Sequence, residues 1–298
     1  HILQMNINNI YIQNIPSFCN NTLAISILRA DLIDPVVSGN KWFKLQYYVL
    51  DAITAGKSTL ATFGGPYSNH IVATSKYGAS MGLQTVGFIR GEKPPKLSPT
   101  LTDAMENGMT LHFISRADFL DPKKIMEENK HASWAWIPEG GYGIKGAKGA
   151  SSLLTIKNTQ GFDTIICAVG TGTMMAGIIK AAAPHQKIIG ISVLKNNFSI
   201  DTEINALLTT EESKKNFEVI HGYDFGGYAK HTPALIKYMN ECYNNMDLPL
   251  DFVYTAKLLY ASKDLATKGK FELSSKILLI HSGGLQGNRS FKKGTLIY

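Results

Sequence analysis

Short apolar runs alternate with helical patterns along most of this 298-residue chain. The apolar runs span four to seven residues, and runs of this length that are bounded by turn residues are typical of buried strands. Strands separated by helices form parallel sheets, because a parallel connection needs a crossover segment. We therefore predict an α/β fold with mostly parallel sheets. The predicted strands are residues 59–63, 85–89, 111–114, 134–137, 164–169, 187–193 and 277–280.

Glycine-rich turns follow most of these apolar runs or lie near them. In an open α/β sheet, the loops at the carboxyl ends of the strands converge on the ligand crevice. We therefore predict one composite site built from several glycine loops, and we expect one or two of the turns to be structural only. The turns are Gly64–Gly65, Gly140–Gly141, Gly170–Gly172, Gly226–Gly227 and Gly283–Gly284.

The charge pattern argues against a nucleic-acid partner. The formal net charge is +7, from 30 basic and 23 acidic residues. The basic residues are scattered along the chain, whereas a nucleic-acid binder more often clusters them on one stripe. A positive balance also suits a small ligand that carries phosphate or carboxylate groups.

The sequence shows no pattern typical of a membrane span or a signal peptide. No apolar stretch reaches the ~18 residues of a membrane span, so we expect no membrane partner. The chain begins at His1 without a signal-peptide pattern, which makes the cytoplasm the expected location.

The three cysteines, Cys19, Cys167 and Cys242, have neither a disulfide nor a zinc spacing. Cys167 lies in an apolar run and is expected to be buried and inert.

The loop Gly170–Thr171–Gly172–Thr173 follows one predicted strand and precedes a helical pattern. Small residues let backbone N–H groups approach an anion, and the helix N-terminus adds a favourable dipole. A dinucleotide fingerprint would need a third glycine where Met175 stands, and no Gly-Lys-Ser/Thr follows for a Walker loop. A small phosphate group fits the loop better.

Lys41 follows a glycine turn in the segment Ser38–Gly39–Asn40–Lys41 and precedes an apolar, helical run. Most lysines lie on a solvated face. A buried lysine, however, has a depressed pKa and offers a neutral amine that can attack a carbonyl. We expect Lys44, one turn later, to be an exposed or supporting charge.

The segment Gly64–Gly65–Pro66–Tyr67–Ser68–Asn69–His70 has no Gly-x-Ser-x-Gly pattern, so a nucleophile elbow is not expected. Ser68 fits a helix N-cap. The same geometry would let hydroxyl and N–H groups at a helix start hold a substrate carboxylate. No His, Cys or carboxylate cluster in the chain has metal-ligand spacing, so no metal is predicted.

Taken together, the motifs resemble the pyridoxal phosphate (PLP)-dependent family of 1-aminocyclopropane-1-carboxylate (ACC) deaminases and D-cysteine desulfhydrases. The resemblance runs from about Arg29 to Gly284 and implies the tryptophan-synthase-β-like fold, PLP fold type II, with two lobes of mostly parallel twisted sheets flanked by helices. The motifs in order are Arg29–Ala30–Asp31–Leu32, Gly39–Asn40–Lys41, Gly64–Gly65–Pro66–Tyr67–Ser68–Asn69, Gly170–Thr171–Gly172–Thr173, Gly227–Tyr228, Val253–Tyr254–Thr255 and His281–Ser282–Gly283–Gly284.

The resemblance implies a role for each matching residue. Lys41 would form the Schiff base with PLP, and Asn69 would bond the coenzyme's ring hydroxyl. Tyr254 would lie against the ring and Tyr228 would reach the substrate, although core packing is the alternative for either tyrosine. The phosphate would lie on Val169, Gly170, Thr171, Gly172 and Thr173. The substrate carboxylate would be held by Ser68, Asn69 and His70.

Two positions separate the members of this family. The resemblance places Thr255 at the pyridine nitrogen, where the ACC deaminases have a glutamate. A hydroxyl there favours a neutral nitrogen and a weaker electron sink, which suffices to expel a thiolate but not to open a cyclopropane. Ser282, on the substrate side, is leucine in the deaminases and a small hydroxyl residue in the desulfhydrases. Both positions favour α,β-elimination from D-cysteine or a similar small amino acid.

Other readings stay open at this point. They are an ACC deaminase and a PLP-binding protein without catalysis. The sequence also departs from the family pattern at two places. Met174 after the phosphate loop is expected to weaken one phosphate contact, and Gly141–Tyr142–Gly143 leaves the identity of the substrate open. The resemblance further implies a smaller lobe at 42–135, a larger lobe formed by 1–41 with 136–298, and a homodimer.

Overall fold

The computed structural model describes residues 7–16 and 23–298, so Cys19 lies outside the described residues. Within these two described ranges, ten strands form two sheets. The strands are β1 (Ile12–Ile15), β2 (Ala24–Leu28), β3 (Thr59–Gly64), β4 (Gln84–Arg90), β5 (Met109–Ile114), β6 (Trp134–Ile137), β7 (Thr164–Val169), β8 (Lys187–Ser192), β9 (Phe217–Ile220) and β10 (Lys276–Ile280).

Helices connect and cover these strands. The α-helices in the described residues are α1 (Asn40–Thr54), α2 (Asn69–Ser80), α3 (Pro99–Glu106), α4 (Pro122–Glu128), α5 (Ile144–Ser151), α6 (Thr173–Ala181), α7 (Ile200–Asn205), α8 (Pro233–Met246) and α9 (Thr255–Thr267). None of them is long and apolar enough to cross a membrane.

The larger sheet has the strand order β1-β2-β10-β7-β8-β9. All of its neighbours are parallel except β1 and β2, which are antiparallel. Successive residues of β7 belong to different cores: Ile165 and Cys167 pack in one cluster, and Ile166 and Ala168 pack in the other. This period of two means that the sheet is buried on both faces, as expected for parallel strands covered by helices.

The smaller sheet has the order β5-β4-β3-β6, and all of its pairs are parallel. One face packs an aromatic cluster in which the rings of Phe63 and Trp136 stack with centroids 5.3 Å apart. The other face packs Ile71 of α2 and Leu101 of α3 against Ile89. Both faces are therefore filled by side chains from the chain's own crossovers.

The predicted α/β fold and all seven predicted strands are confirmed, with ends that agree to within two residues. Three strands were missed, namely β1, β2 and β9. Two of them, β1 and β9, lie at the edges of the larger sheet. Their short, half-buried sequences lack the continuous apolar run that marks a central strand. The lobe boundaries at 42 and 135 stay a prediction.

The start of α1 is fixed against the loop that follows β10. Asn40 N–H donates to the Ser282 carbonyl at 3.2 Å. Gly39 has φ +55°, and a Cβ atom on it would overlap the backbone of Ser282 and Gly283. Only glycine satisfies both the left-handed backbone and this close approach.

Buried polar groups also stabilise the loop that follows β10. Arg29 and Asp31 form a bidentate pair, with Nη2 to Oδ2 at 2.8 Å. Gly283 N–H donates to His281 Nδ1 at 3.2 Å, so the ring proton of a neutral His281 lies on Nε2 and is donated to the Pro249 carbonyl at 2.8 Å. The Ser38 hydroxyl donates to the Asp31 carbonyl at 3.1 Å. The Arg29–Asp31 motif therefore supports the backbone next to Gly39, and it lies outside the cavity lining.

We predict that Gly39→Ala lowers the free energy of unfolding by about 3 kcal/mol or prevents folding, because the added Cβ overlaps the Ser282 backbone. Gly56→Ala is the matched control. Gly56 has φ +64° but no atom within 4 Å of its Cβ position, so it should lose only the ~1 kcal/mol of left-handed backbone strain. Urea unfolding measures both, and equal losses would contradict the close approach.

Candidate active site

A cavity of about 330 Å³ opens at the carboxyl ends of strands from both sheets. Its volume falls in the range of small-molecule sites. Its wall is formed by the first turn of α1, the β3–α2 and β7–α6 loops, and the ends of β4 and β6. Of the predicted site residues, the structure brings to this wall Lys41, Ser68, Asn69, His70, Val169, Gly170, Thr171, Gly172, Tyr228 and Tyr254.

Lys41 lies in the first turn of α1, and its side chain is half-buried in the cavity wall. Its amine donates to Asn40 Oδ1 at 2.9 Å and lies 5.9 Å from the ring centroid of Tyr254. Desolvation by the surrounding protein lowers the pKa of Lys41 to about 8, and the Asp251 carboxylate opposes that shift. The amine is therefore neutral far more often near physiological pH than that of an ordinary lysine, and the neutral form is the nucleophile.

Lys44 is buried rather than exposed, so the expectation of an exposed charge was wrong. It lies one turn after Lys41, and its side chain lines the same cavity. Desolvation, and next the charge of Lys41, hold the pKa of Lys44 well below its usual value. A buried amine without an acidic partner is costly, and no ion pair of Lys44 occurs in the part of the chain that the structure describes. An anionic ligand would relieve that cost.

His70 is a neutral acceptor in the cavity wall. Burial, with the charges of Lys41 and Lys44, holds its pKa well below the usual value. Thr62 donates its hydroxyl to the Ile137 carbonyl, so the Thr62 oxygen accepts the Nε2 proton of His70 at 2.8 Å. Nδ1 is then unprotonated, and it has no partner among the described residues.

The β7–α6 loop forms an anion cradle at the start of α6. Gly172 has φ +77° and leads directly into the helix, so the first-turn N–H groups lack helical partners. Thr173 is fully buried, and its hydroxyl lies 3.1 Å from that of Thr171. A Cβ on Gly140 would lie 3.2 Å from Thr171, and one on Gly141 would lie 3.5 Å from Lys44. The Gly140–Gly141 turn thus lies between the cradle and the buried amine of Lys44.

Ser68 occupies the N-cap position of α2, as predicted, but its hydroxyl makes no capping hydrogen bond. It lines the cavity instead. Asn69 follows it and is buried, and its Oδ1 has no partner among the described residues. Because buried polar atoms are normally paired, this oxygen indicates a ligand that supplies a donor.

Tyr254 and Tyr228 close one side of the cavity. The Tyr254 ring lies against the cradle, at 3.4 Å from the Cβ position of Gly170. Burial raises the pKa of both tyrosines, and each hydroxyl interacts with the other. Tyr228 is 41% exposed at the mouth, so packing does not explain its place.

Thr255 and Ser282 are buried beside the cavity rather than in its lining. The Thr255 hydroxyl donates to Asp251 Oδ1 at 2.6 Å and accepts from the Asp251 N–H at 2.8 Å. Asp251 Oδ2 also accepts the N–H groups of Val253 and Tyr254 at the start of α9. A buried carboxylate thus fixes both the helix start and the Thr255 proton.

Arg90 and Glu139 line the cavity mouth and were missed from the sequence. Burial raises the pKa of Glu139, and the charge of Arg90 opposes that shift. Both residues follow the carboxyl ends of predicted strands, which is the signal that could have found them. Among the described residues, no group of three or more His, Cys, Asp or Glu could hold a metal ion.

The sequence profile of the family "Pyridoxal-phosphate dependent enzyme" matches residues 26–283. The chain belongs to this family of PLP-dependent enzymes. A Thermotoga maritima protein named "Putative 1-aminocyclopropane-1-carboxylate deaminase" is 32% identical to it, over 88% of this chain and 89% of that protein. The D-cysteine desulfhydrase of Salmonella typhi is 27% identical, over 87% of this chain and 86% of that protein. The resemblance inferred from the motifs is confirmed.

Solved structures agree on the fold of this PLP-dependent enzyme. An ACC deaminase homologue superposes with a TM-score of 0.81 at 27% identity, covering 94% of this chain and 90% of the other. O-ureido-L-serine synthase superposes with a TM-score of 0.69 at 11% identity, which shows the fold alone.

The cavity residues fit PLP. A phosphate suits the cradle at Thr171 and the buried amine of Lys44, which lie on either side of one glycine turn. A ring hydroxyl would supply the donor that Asn69 Oδ1 lacks. The desolvated amine of Lys41 suits an aldehyde.

We predict that the rate of PLP uptake by the coenzyme-free protein rises with pH and levels off above about 8, because only the free amine of Lys41 attacks the aldehyde. An ordinary lysine, with a pKa of ~10.4, would give a rate that keeps rising to about pH 10. Stopped-flow absorbance measures the rate, with Lys41→Ala as the blank. A plateau only above about pH 10 would contradict the desolvation of Lys41.

Proposed function

We propose that this PLP-dependent enzyme catalyses α,β-elimination from a small D-amino acid such as D-cysteine. One water is consumed, and pyruvate, ammonia and hydrogen sulfide are released. The observation that carries the proposal is the amine of Lys41, desolvated in a cavity that also holds an anion cradle. Because the coenzyme takes up much of the 330 Å³, only a small substrate fits beside it.

In this proposal the coenzyme is held at its two ends. Lys41 would hold the aldehyde carbon, and Asn69 would bond the ring hydroxyl. Tyr254, whose ring lies against Gly170, would cover the ring between them. The phosphate would be bound by the 169–173 loop and neutralised by Lys44.

When bound, PLP withdraws electrons from the substrate, which acidifies the α-proton and allows a β-substituent to leave. The protein's own residues supply position and proton transfer. Ser68, with the N–H groups at the start of α2, would bind the substrate carboxylate. The amine of Lys41 would take the α-proton. Tyr228 at the mouth would contact the departing group.

Substrate choice depends on two buried hydroxyl residues. Neither Thr255 nor Ser282 carries the side chain that the resemblance associates with ACC deaminases. Thiolate is a good leaving group and needs a weaker electron sink than the opening of a cyclopropane. D-Cysteine is therefore the favoured substrate, in keeping with the Salmonella typhi relative named for its desulfhydrase activity.

ACC deamination is the second candidate, and one contact favours it. Thr255 gives its proton to Asp251, so toward a ring nitrogen its oxygen could act only as an acceptor. An acceptor there favours a protonated nitrogen and a stronger sink. An Arabidopsis thaliana relative, 27% identical over 92% of this chain and 75% of that protein, is named as bifunctional for both activities.

The assembly is proposed from the same resemblance. Residues 42–135 would form the smaller lobe, and 1–41 with 136–298 would form the larger one. The four-stranded sheet supports this division, although β6 runs two residues past the boundary, to Ile137. The enzyme would work as a homodimer in the cytoplasm.

We predict pyruvate release from D-cysteine and little 2-oxobutyrate release from ACC, because thiolate leaves more readily than a cyclopropane carbon and neither Thr255 nor Ser282 is the residue that the resemblance associates with ACC deaminases. The assay includes L-cysteine and D-serine to test stereochemistry and leaving group. Lys41→Ala should lose both the absorbance of bound coenzyme and turnover. Efficient ACC turnover would establish the second candidate instead. Bound coenzyme without turnover of any amino acid would refute the elimination proposal.

We predict two opposite effects of Lys44→Met. The coenzyme-free protein becomes more stable at neutral pH, because folding no longer desolvates an amine. Affinity for PLP falls at least about tenfold, because the phosphate loses its buried cation. Thermal unfolding and coenzyme titration measure the two effects. Lys76→Met, on the exposed face of α2, is the matched control. Unchanged PLP affinity in Lys44→Met would remove Lys44 from the phosphate site.

A further inference from the structure

Lys257 is a fully buried lysine outside the cavity lining. It lies in the first turn of α9, three residues after Tyr254. Its amine donates to the carbonyls of Asp224 and Gly227 at 2.7 Å and 2.8 Å. Both carbonyls belong to the loop between β9 and α8. A single side chain thus ties this loop to α9 at two points.

Electrostatic pairing does not explain the burial of Lys257. No carboxylate lies within ion-pair distance of its amine in residues 7–16 and 23–298. Burial of an amine is costly. The two loop carbonyls offset this cost by direct contact, and the charges of Asp224 and Asp251 favour the amine from beyond ion-pair distance. Lysine donors satisfy such carbonyls without requiring a helix or a strand at that place.

The loop that Lys257 holds has a strained backbone. Phe225 and Ala229 have φ +52° and +53°, although neither is a glycine. Gly226 and Gly227 between them also have positive φ, at +98° and +121°. Such conformations persist only where the surroundings determine them. The two bonds from Lys257 fall at the start and in the middle of this segment.

Tyr228 extends from this loop to the cavity mouth. Its hydroxyl interacts with that of Tyr254, which lies just before α9. The start of α9 therefore contacts the loop through two residues. Tyr254, at the N-cap, does so in the cavity wall, and Lys257 does so outside the cavity lining. Phe225 and Tyr223 also contact α9, through the Tyr260 ring and the Asp264 carboxylate. Without Lys257, however, the strained segment next to Tyr228 would lose both of the hydrogen bonds that its backbone accepts from α9.

We propose that Lys257 is a positioning residue that clamps the 224–228 loop so that Tyr228 faces the substrate. The link to substrate rests on the proposed function of Tyr228. The effect of Lys257 on the conformation of the 224–228 loop does not depend on that function. Lys257 touches neither the cradle nor Lys41, so its loss should leave the coenzyme site intact.

The test is Lys257→Met in the PLP-loaded enzyme. Methionine fills a similar volume but donates no hydrogen bond. We expect amide hydrogen exchange in residues 224–230 to accelerate at least about tenfold, since the loop loses both bonds. We expect kcat/KM for D-cysteine to fall about tenfold or more, with coenzyme absorbance and affinity unchanged. Lys257→Arg, which can donate to two carbonyls, should restore most of both properties.

Lys215→Met is the matched control. The amine of Lys215 donates to three backbone carbonyls, those of Ile179, Lys180 and Ala182, at the end of α6. It lies outside the cavity lining. Its loss should reduce stability and leave kcat/KM unchanged. An equal loss of kcat/KM in the two methionine variants would mean that the effect of Lys257 is general destabilisation and would overturn the proposal.

A double-mutant cycle with Tyr228→Phe separates positioning from other effects. If Lys257 acts through Tyr228, the two losses in kcat/KM are strongly non-additive. Additive losses would overturn the link to Tyr228, and unchanged exchange in 224–230 would overturn the clamp. If Lys257→Met does not fold, Lys257→Gln, which keeps an amide donor, should show intermediate exchange. If the native enzyme turns over no amino acid, the proposed function fails, while the exchange measurement still decides the clamp.

Discussion

The site depends on a backbone contact between the start of α1 and the loop after β10. Gly39 lies so close to Ser282 that no side chain fits between them. This contact sets the position of the first turn of α1, and with it the positions of Lys41 and Lys44. The polar groups around His281 fix the other side of the contact. A reactive amine is therefore placed by glycine packing and buried hydrogen bonds, neither of which takes part in the chemistry.

Desolvation then gives that amine its properties. Lys41, Lys44 and His70 surround one cavity, and burial lowers the pKa of each. The negative charge that acts on Lys41 is that of Asp251, whose oxygens already accept N–H groups at the start of α9 and the Thr255 hydroxyl. The cavity thus contains a desolvated amine that can act as a nucleophile, Lys41, and a second buried amine without an anionic partner, Lys44. The aldehyde and the phosphate of PLP match these two amines.

The sequence predicted the features that depend on local pattern. Central strands are buried on both faces and give continuous apolar runs, and the glycine turns mark the loops that approach a ligand. It missed what depends on tertiary surroundings. Lys44 looks like a surface lysine, although its spacing of three from Lys41 places both on one face of α1. Lys257 gives no sequence signal, because its partners are backbone carbonyls some thirty residues away. Arg90 and Glu139 are residue types common on any protein surface. The only sign that they belong to the site is their position just after the carboxyl ends of predicted strands.

The strand order of the larger sheet has a consequence for biosynthesis. β2 has only β1 and β10 as neighbours, and β10 lies near the end of the chain. The smaller sheet is continuous in sequence and can fold while the ribosome is still translating the rest. The larger sheet, in contrast, has an open edge on β2 until residue 280 has emerged. The loops of the larger sheet that line the cavity can therefore take their final positions only after almost the whole polypeptide has been made, and a chain truncated before β10 exposes an unpaired strand edge.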